Sequence, residues 1–161
     1  MAEVRVEHPN REKAESKATK AIVTLLLVIS SVLVLVITVG GWSELQGAKP
    51  IAFFYIFIFL LTAYYVHQWN RGVLPVVAVL AVLLAVVAAV AAPGWFDRDK
   101  AGFDDPTLGP ALLGLLTVIV VPVQLVLLGF ALRGFAQKWN VEVETHYDDY
   151  DMPQRAEPAG A

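Results

Sequence analysis

The apolar residues of this chain fall into four long runs, at residues 21–39, 51–66, 73–92 and 111–132, with short polar segments between them. None of the runs contains Asp, Glu, Lys, Arg or His. A helix needs about 20 mostly apolar residues to cross the hydrocarbon core of a bilayer. The pattern therefore predicts an all-α integral membrane protein, with four transmembrane helices in an up-down bundle surrounded by the lipid bilayer.

The polar segments divide the chain into three regions: a segment at residues 1–20, a four-helix transmembrane domain at 21–132, and an acidic tail at 133–161. Nine of the twelve Lys and Arg residues lie in the two end segments or between the second and third runs. Positive residues favour the cytoplasmic side of a membrane. We therefore expect a multi-pass protein of the cell (plasma) membrane with both termini in the cytoplasm.

Composition narrows the class further. Of the 161 residues, 57% are hydrophobic and 17% are charged, and the formal net charge is −3. That charge gives no reason to expect nucleic-acid binding. The absence of Cys excludes disulfides and thiolate metal sites. The abundance of Ala, Val and Gly favours a bacterial source.

The second and third runs carry contrasting side chains. In the third run Ala81, Ala85 and Ala89 recur every four residues. Small residues at this spacing allow two helices to approach closely, so this stripe is the predicted helix-packing surface. The second run is crowded with large rings, which we expect to face lipid or a partner subunit. They are Phe53, Phe54, Tyr55, Phe57 and Phe59.

The fourth run contains a proline and an amide. Pro122 predicts a kink, and Thr117 is positioned to bond a carbonyl that the proline leaves free. Gln124 is the most polar side chain inside any run and should face another helix, because an amide in hydrocarbon needs a partner. Its candidate partners lie in the first run, where they can also bond to their own helix. They are Ser30, Ser31 and Thr38.

No residue pattern points to catalysis or to a cofactor. Proton relays and ion-coupled carriers use ionisable residues in mid-membrane, and the four runs have none. His67 has no second membrane histidine with which to hold a haem, and Ser30 and Ser31 have no base nearby in sequence. We therefore expect a protein that is not an enzyme and carries no cofactor.

The segment between the third and fourth runs is rich in aspartate. Asp97, Asp99, Asp104 and Asp105 flank Gly102, and the D-x-D-x-x-G start is similar to the first half of a calcium-binding loop. The pattern then departs from such a loop, with alanine at its fifth position and leucine at its twelfth. These aspartates are a weak candidate metal site, and the alternative is a solvated, turn-rich loop.

Short alternating segments lie near both ends of the chain. Val4 and Val6 alternate with charged residues, and a similar alternation follows residue 140, which is a strand signal. The segments can pair as a short cytoplasmic β-ribbon with Arg5 opposite a glutamate, pair with another protein, or stay disordered. The acidic tail supplies the candidate residues for docking a basic partner. They are Glu142, Glu144, Tyr147, Asp148, Asp149 and Asp151.

These patterns support two hypotheses of function. The first is a non-catalytic small membrane protein that acts as a subunit, scaffold or assembly factor of a larger membrane complex. The alternative is a small oligomeric channel or carrier for an uncharged or hydrophobic solute, centred on Pro122 and Gln124. The two differ in what should accompany the protein, since the first requires a membrane-protein partner and the second only a homo-oligomer.

Overall fold

The computed structural model describes residues 3–103 and 106–147. Within these residues, four helices are long and apolar enough to cross a membrane, which confirms the predicted number of long apolar helices. A 3-10 turn, Arg71–Val73, joins the second long helix to the third. In chain order the elements are β1 (Glu3–Glu7), α1 (Pro9–Glu12), α2 (Ala14–Gly40), α3 (Lys49–His67), α4 (Leu74–Asp97), α5 (Pro110–Ala136) and β2 (Val143–Tyr147).

Three of the long helices extend well beyond the apolar runs that predicted them, with α5 ending at Ala136 although its run ends at residue 132. Helix α2 begins at Ala14, before its apolar run, and α4 continues past residue 92 through Pro93 to Asp97. A proline removes a single backbone donor, so a helix can pass through one when packing favours the extra turn. Trp95 is buried in the added turn, and Ala92 is buried one turn before it. The burial of Trp95 accounts for the continuation of α4 to Asp97.

The helices pack in the order α3, α2, α5, α4. The most extensive contact is between α4 and α5, followed by that between α2 and α3, and α2 also packs against α5. In contrast, α3 and α4 touch very little although they are consecutive. The core between the helices includes Leu27, Phe59, Val77 and Leu127, all fully buried. The sparse α3–α4 contact leaves a gap between these two helices on one side of the core.

The buried face of α4 differs from the predicted stripe. Ala81 and Ala85 are buried, but Ala89 is exposed and its place is taken by Ala88. A helix has 3.6 residues per turn, so each four-residue step rotates the position by about 40° around the axis. Alternating steps of three and four residues stay on one side, and the buried alanines follow that rhythm. They are Ala78, Ala81, Ala85, Ala88 and Ala92.

The aromatic residues of α3 also divide between two faces. Phe53, Phe54 and Phe57 are half-exposed or more. Tyr55 and Phe59 are buried, with ring centres 5.5 Å apart in an edge-on arrangement, so the expectation that they face outward is wrong. Their spacing of four residues places both on one side of α3, and the main neighbour of α3 is α2. Large rings therefore fill the α2–α3 region of the core.

The two terminal strands pair with each other, which is one of the three alternatives that the sequence left open. Strand β1 runs antiparallel to β2, with a register from Glu3 opposite Tyr147 to Glu7 opposite Val143. Arg5 lies opposite Thr145, so the predicted pairing of Arg5 with a glutamate is wrong. Because Val6 lies opposite Glu144 and Val143 lies opposite Glu7, neither face of the paired sheet is wholly apolar, and the alternation specifies the register only weakly.

Candidate partner-docking site

The β1–β2 sheet lies at the end of the molecule where α2 begins and where α3 and α5 finish. A tryptophan pair forms the base of this end. Trp139 is fully buried, and its ring meets that of Trp69 edge-on with centres 5.3 Å apart. The Trp139 Nε1–H donates to Gln137 Oε1 at 3.0 Å, and Gln137 Nε2 donates to Thr19 Oγ1 at 3.1 Å. This chain of contacts joins the ends of α3 and α5 to the start of α2.

The backbone at these helix ends is held in an uncommon conformation. Trp69 follows the C-cap residue of α3 and has a φ of 64°, and Lys138 follows the C-cap residue of α5 and has a φ of 50°. A non-glycine residue in the left-handed region costs on the order of 1–3 kcal/mol and persists where its surroundings fix it. Lys20 supplies part of that support, with Nζ 4.2 Å from the centre of the Trp69 ring and 3.2 Å from the His67 carbonyl oxygen.

Helix α1 fastens the sheet to the helix ends. The Asn10 Nδ2–H donates to the Lys138 carbonyl at 3.1 Å, and the Arg11 Nε–H donates to the Trp139 carbonyl at 2.9 Å. Both bonds join residues 128 positions apart in the sequence. Because α1 follows β1 directly and residues 138–139 shortly precede β2, these bonds fix the position of both strands.

The sheet presents open strand edges and exposed apolar side chains. Each strand has one neighbour among the described residues, so its outer edge offers unpaired N–H and C=O groups there. The exposed fractions of Val6 and Val143 are 50% and 47%. The predicted docking residues Glu142 and Glu144 are also exposed. Tyr147 ends β2, and the predicted docking residues Asp148, Asp149 and Asp151 lie outside the described residues.

The predicted polar residues of the fourth span are found in α5, where one of them reaches a second helix. Gln124 is fully buried, and its Nε2–H donates to Ser30 Oγ at 2.8 Å. The Ser30 hydroxyl in turn donates to the Leu26 carbonyl at 2.7 Å. The other oxygen, Gln124 Oε1, is buried and has no hydrogen-bond partner among the described residues. A polar contact thus crosses the α2–α5 interface.

The remaining polar residues of the spans bond to their own helices. Thr117 donates to the Leu113 carbonyl at 2.7 Å, so it does not serve the carbonyl that Pro122 leaves free. Ser31 and Thr38 donate to carbonyls one turn earlier in α2. Helix α5 continues through Pro122, which lies on its exposed side. Thr117 and Pro122 therefore do not join Gln124 in one site.

The aspartate-rich segment is only partly described. Asp97 ends α4, with one carboxylate oxygen 3.5 Å from Lys100 Nζ, while Asp99 follows in a turn. Asp104 and Asp105 lie outside the described residues. Next to Asp97, Arg98 forms an ion pair with Glu44 and so links the end of α4 to the α2–α3 connection.

An apolar cavity of about 140 Å³ occupies the gap between α3 and α4, in the half of the molecule opposite the sheet. Its floor includes Thr38, Tyr55, Ala88 and Thr117, all buried. Ile51, Val87 and Ala91 line its outer part and are exposed. The lining is mostly apolar, and both threonine hydroxyls donate to backbone carbonyls of their own helices.

Sequence patterns identified some of these positions and missed others. Gln124 stands out in the sequence because it is the most polar side chain inside any of the four runs. Asn10, Arg11 and Gln137 do not, since their roles depend on partners more than a hundred residues away. No local pattern in a single sequence could have singled them out.

Comparison of the chain with protein-family models, with curated proteins and with solved structures found no match.

Proposed function

We propose that this protein is a non-catalytic subunit, scaffold or assembly factor of a larger membrane complex, and that the β1–β2 sheet receives a strand of its protein partner. The observation that carries the proposal is the anchored sheet, whose outer strand edges have no pairing strand among residues 3–103 and 106–147. A two-stranded sheet alone is marginal in water, and here side-chain hydrogen bonds from Asn10 and Arg11 fix it to the helix ends. An exposed strand edge is a template for pairing with another chain.

The proposal also assigns an orientation. The four helices form an up-down bundle in the cell membrane, with both termini and the sheet in the cytoplasm. The support is the excess of Lys and Arg on that side, including Lys20 and Arg71 at the helix ends.

Reporter fusions test this orientation. A reporter fused after Ala161 should be active only in the cytoplasm, and one inserted beside Lys100 only outside, because nine basic residues favour the first side and three the second. Paired alkaline phosphatase and fluorescent-protein fusions make the measurement. The reverse pattern of activity would refute the cytoplasmic sheet.

The strand-docking step is tested by placing charge on the sheet. Val6→Lys and Val143→Lys each put an ammonium on an exposed position of a strand, where it should release the partner, since edge lysines oppose strand addition. The measurement is the mass of the complex extracted from its native membrane in mild detergent. We expect a wild-type complex containing a second membrane protein in fixed ratio and a smaller particle for each variant.

The matched control is Val141→Lys. Val141 is also exposed, and it precedes β2 without being paired in the sheet. This variant should keep the partner at wild-type ratio. If Val141→Lys releases the partner as fully as Val6→Lys does, the contact is a general electrostatic one and strand docking is wrong. A wild-type particle that contains only copies of this chain would reject the subunit proposal itself.

The apolar cavity favours a second candidate function, an oligomeric channel or carrier for an uncharged or hydrophobic solute. Engineered apolar cavities of about 150 Å³ stay dry and bind small apolar molecules such as benzene. The cavity here has a similar size, and its outer part is exposed between α3 and α4. Gln124 and Pro122, on which the sequence centred this hypothesis, do not line the cavity.

Solute flux into proteoliposomes separates the two candidates. The subunit role predicts that wild-type protein makes vesicles no more permeable to a small apolar dye than empty vesicles are. Flux that is lost in Ala88→Phe, which fills the cavity floor, would instead support a carrier acting through the cavity. Flux lost in Gln124→Leu would support a path along α5. Gln124→Leu should stay folded, since interhelical hydrogen bonds in membranes average about 0.6 kcal/mol.

A further inference from the structure

A polar cleft of about 480 Å³ lies beside the sheet, between α1, the α3–α4 connection and the end of α5. Two arginines, Arg11 and Arg71, line it together with the ring of Trp69 and the amide of Asn140. Among the described residues that line the cleft there is no carboxylate. Its position just beyond the ends of α3 and α5 corresponds to the headgroup layer of a bilayer, where tryptophan rings concentrate.

Arg71 is held in a fixed orientation at the edge of this cleft. Its Nε–H donates to the Phe135 carbonyl at 2.7 Å, and its Nη1–H donates to Asn140 Oδ1 at 3.0 Å. The guanidinium carbon also lies 4.1 Å from the centre of the Phe135 ring. These contacts leave the second terminal nitrogen, Nη2, without a hydrogen-bond partner in the part of the chain that the structure describes. Because the Arg71 side chain is already immobilised, its Nη2 can donate a hydrogen bond to a ligand without a further loss of side-chain freedom.

Arg11 is arranged similarly. It uses only Nε, in the bond to the Trp139 carbonyl, and both terminal nitrogens remain without a described partner. Neither Arg11 nor Arg71 forms an ion pair with any carboxylate in residues 3–103 and 106–147. Arg98 and Arg133 provide a contrast, because each of them pairs with a glutamate.

We propose that this cleft binds the phosphate group of an anionic lipid headgroup between Arg11 and Arg71. Guanidinium groups donate in a planar fork that suits phosphate oxygens, and basic pockets beside helix ends on the cytoplasmic side recognise anionic headgroups. Lys20 does not line the cleft, but its ammonium lies 4.2 Å from the centre of the Trp69 ring, which does, and so adds a third positive charge nearby. The headgroup would lie beside the hydrogen bonds that join α1 to the ends of α3 and α5. This inference does not depend on a protein partner.

Native mass spectrometry of the full chain in mild detergent tests the proposal. The probes are phosphatidylglycerol and phosphatidylcholine with the same acyl chains. We expect the wild-type protein to retain phosphatidylglycerol in preference to phosphatidylcholine. Arg11→Gln and Arg71→Gln should each reduce the retained anionic lipid on the order of tenfold, as expected for losing a charged donor to phosphate.

The matched control is Arg133→Gln. This variant also removes one guanidinium charge, but Arg133 lies in the last turn of α5 and does not line the cleft. It should retain phosphatidylglycerol as the wild type does. Thermal unfolding of each variant shows whether it is folded, and if Arg71→Gln is not, Arg11→Gln decides, because Arg11 bonds to a single carbonyl.

Four results would overturn the proposal. Equal retention of phosphatidylglycerol and phosphatidylcholine would show that the negative charge of the headgroup is not recognised. If Arg133→Gln lost as much phosphatidylglycerol as Arg11→Gln and Arg71→Gln do, the binding would be general charge attraction. Release of the lipid by millimolar inorganic phosphate would make the site one for free phosphate. Binding that appears only after residues 148–161 are deleted would show that the acidic tail of the chain occupies the cleft.

Discussion

Trp139→Ala is expected to lower the free energy of unfolding by about 3–5 kcal/mol, the usual loss when a large buried aromatic side chain is truncated. Trp139 is fully buried, meets Trp69 edge-on, and donates to Gln137 Oε1. Its removal leaves a cavity at the junction of three helices and withdraws the donor of that oxygen. It also weakens the packing that holds Trp69 at positive φ. The measurement is the unfolding transition in detergent, followed by circular dichroism.

Trp42→Ala is the matched control, since it removes the same side chain from another span end. Trp42 is 46% exposed and touches Phe53 edge-on at 6.2 Å between ring centres. We expect a loss of about 0.5–1.5 kcal/mol, the usual contribution of an aromatic pair. Equal losses for Trp139→Ala and Trp42→Ala would mean that Trp139 acts as an ordinary interfacial anchor, contrary to its buried position.

Ala81→Leu is expected to give the second largest effect, a loss of about 1–3 kcal/mol from overpacking. Ala81 is fully buried on α4, and the most extensive helix–helix contact among the described residues is between α4 and α5. The larger side chain can be accommodated only if these helices separate. The same unfolding measurement applies, and a lower midpoint with unchanged helix content is the expected result.

Ala89→Leu provides a control on the same helix. Ala89 was predicted from the sequence to share the packing surface with Ala81, but it is exposed. The substitution should change stability by no more than about 0.5 kcal/mol, as is usual for surface positions. If Ala89→Leu is as destabilising as Ala81→Leu, a further copy or partner covers that side of α4.

Sequence patterns predicted the four long apolar helices well, because the length and the absence of charge that a bilayer-crossing helix requires are visible in any one run. They predicted side-chain positions less well. The assignment of Ala89 to the packed face, and of Phe59 to the outer face, failed because the direction a helix presents to its neighbour depends on the whole assembly. The continuation of α4 to Asp97 depended on the burial of Trp95, which the sequence alone does not reveal.

The polar contacts show the same division. The sequence identified Gln124 as a side chain in need of a partner and offered Ser30 among three candidates, and the structure places the two within hydrogen-bond distance. The choice of Ser30 over Ser31 depends on the rotation of α2 about its axis, which neighbouring helices set. The bonds from Asn10 and Arg11 join opposite ends of the chain, so no local pattern could reveal them.

The pairing of the first strand with the last has a consequence for biosynthesis. Strand β1 leaves the ribosome before the four long helices do, and β2 is made only after α5. The paired sheet therefore cannot exist until the fourth long helix has been synthesised. A chain whose synthesis stops before β2 has β1 without its pairing strand. The paired sheet therefore forms only on chains that have been synthesised through β2, and a protein that recognises the paired sheet is recruited only to such chains.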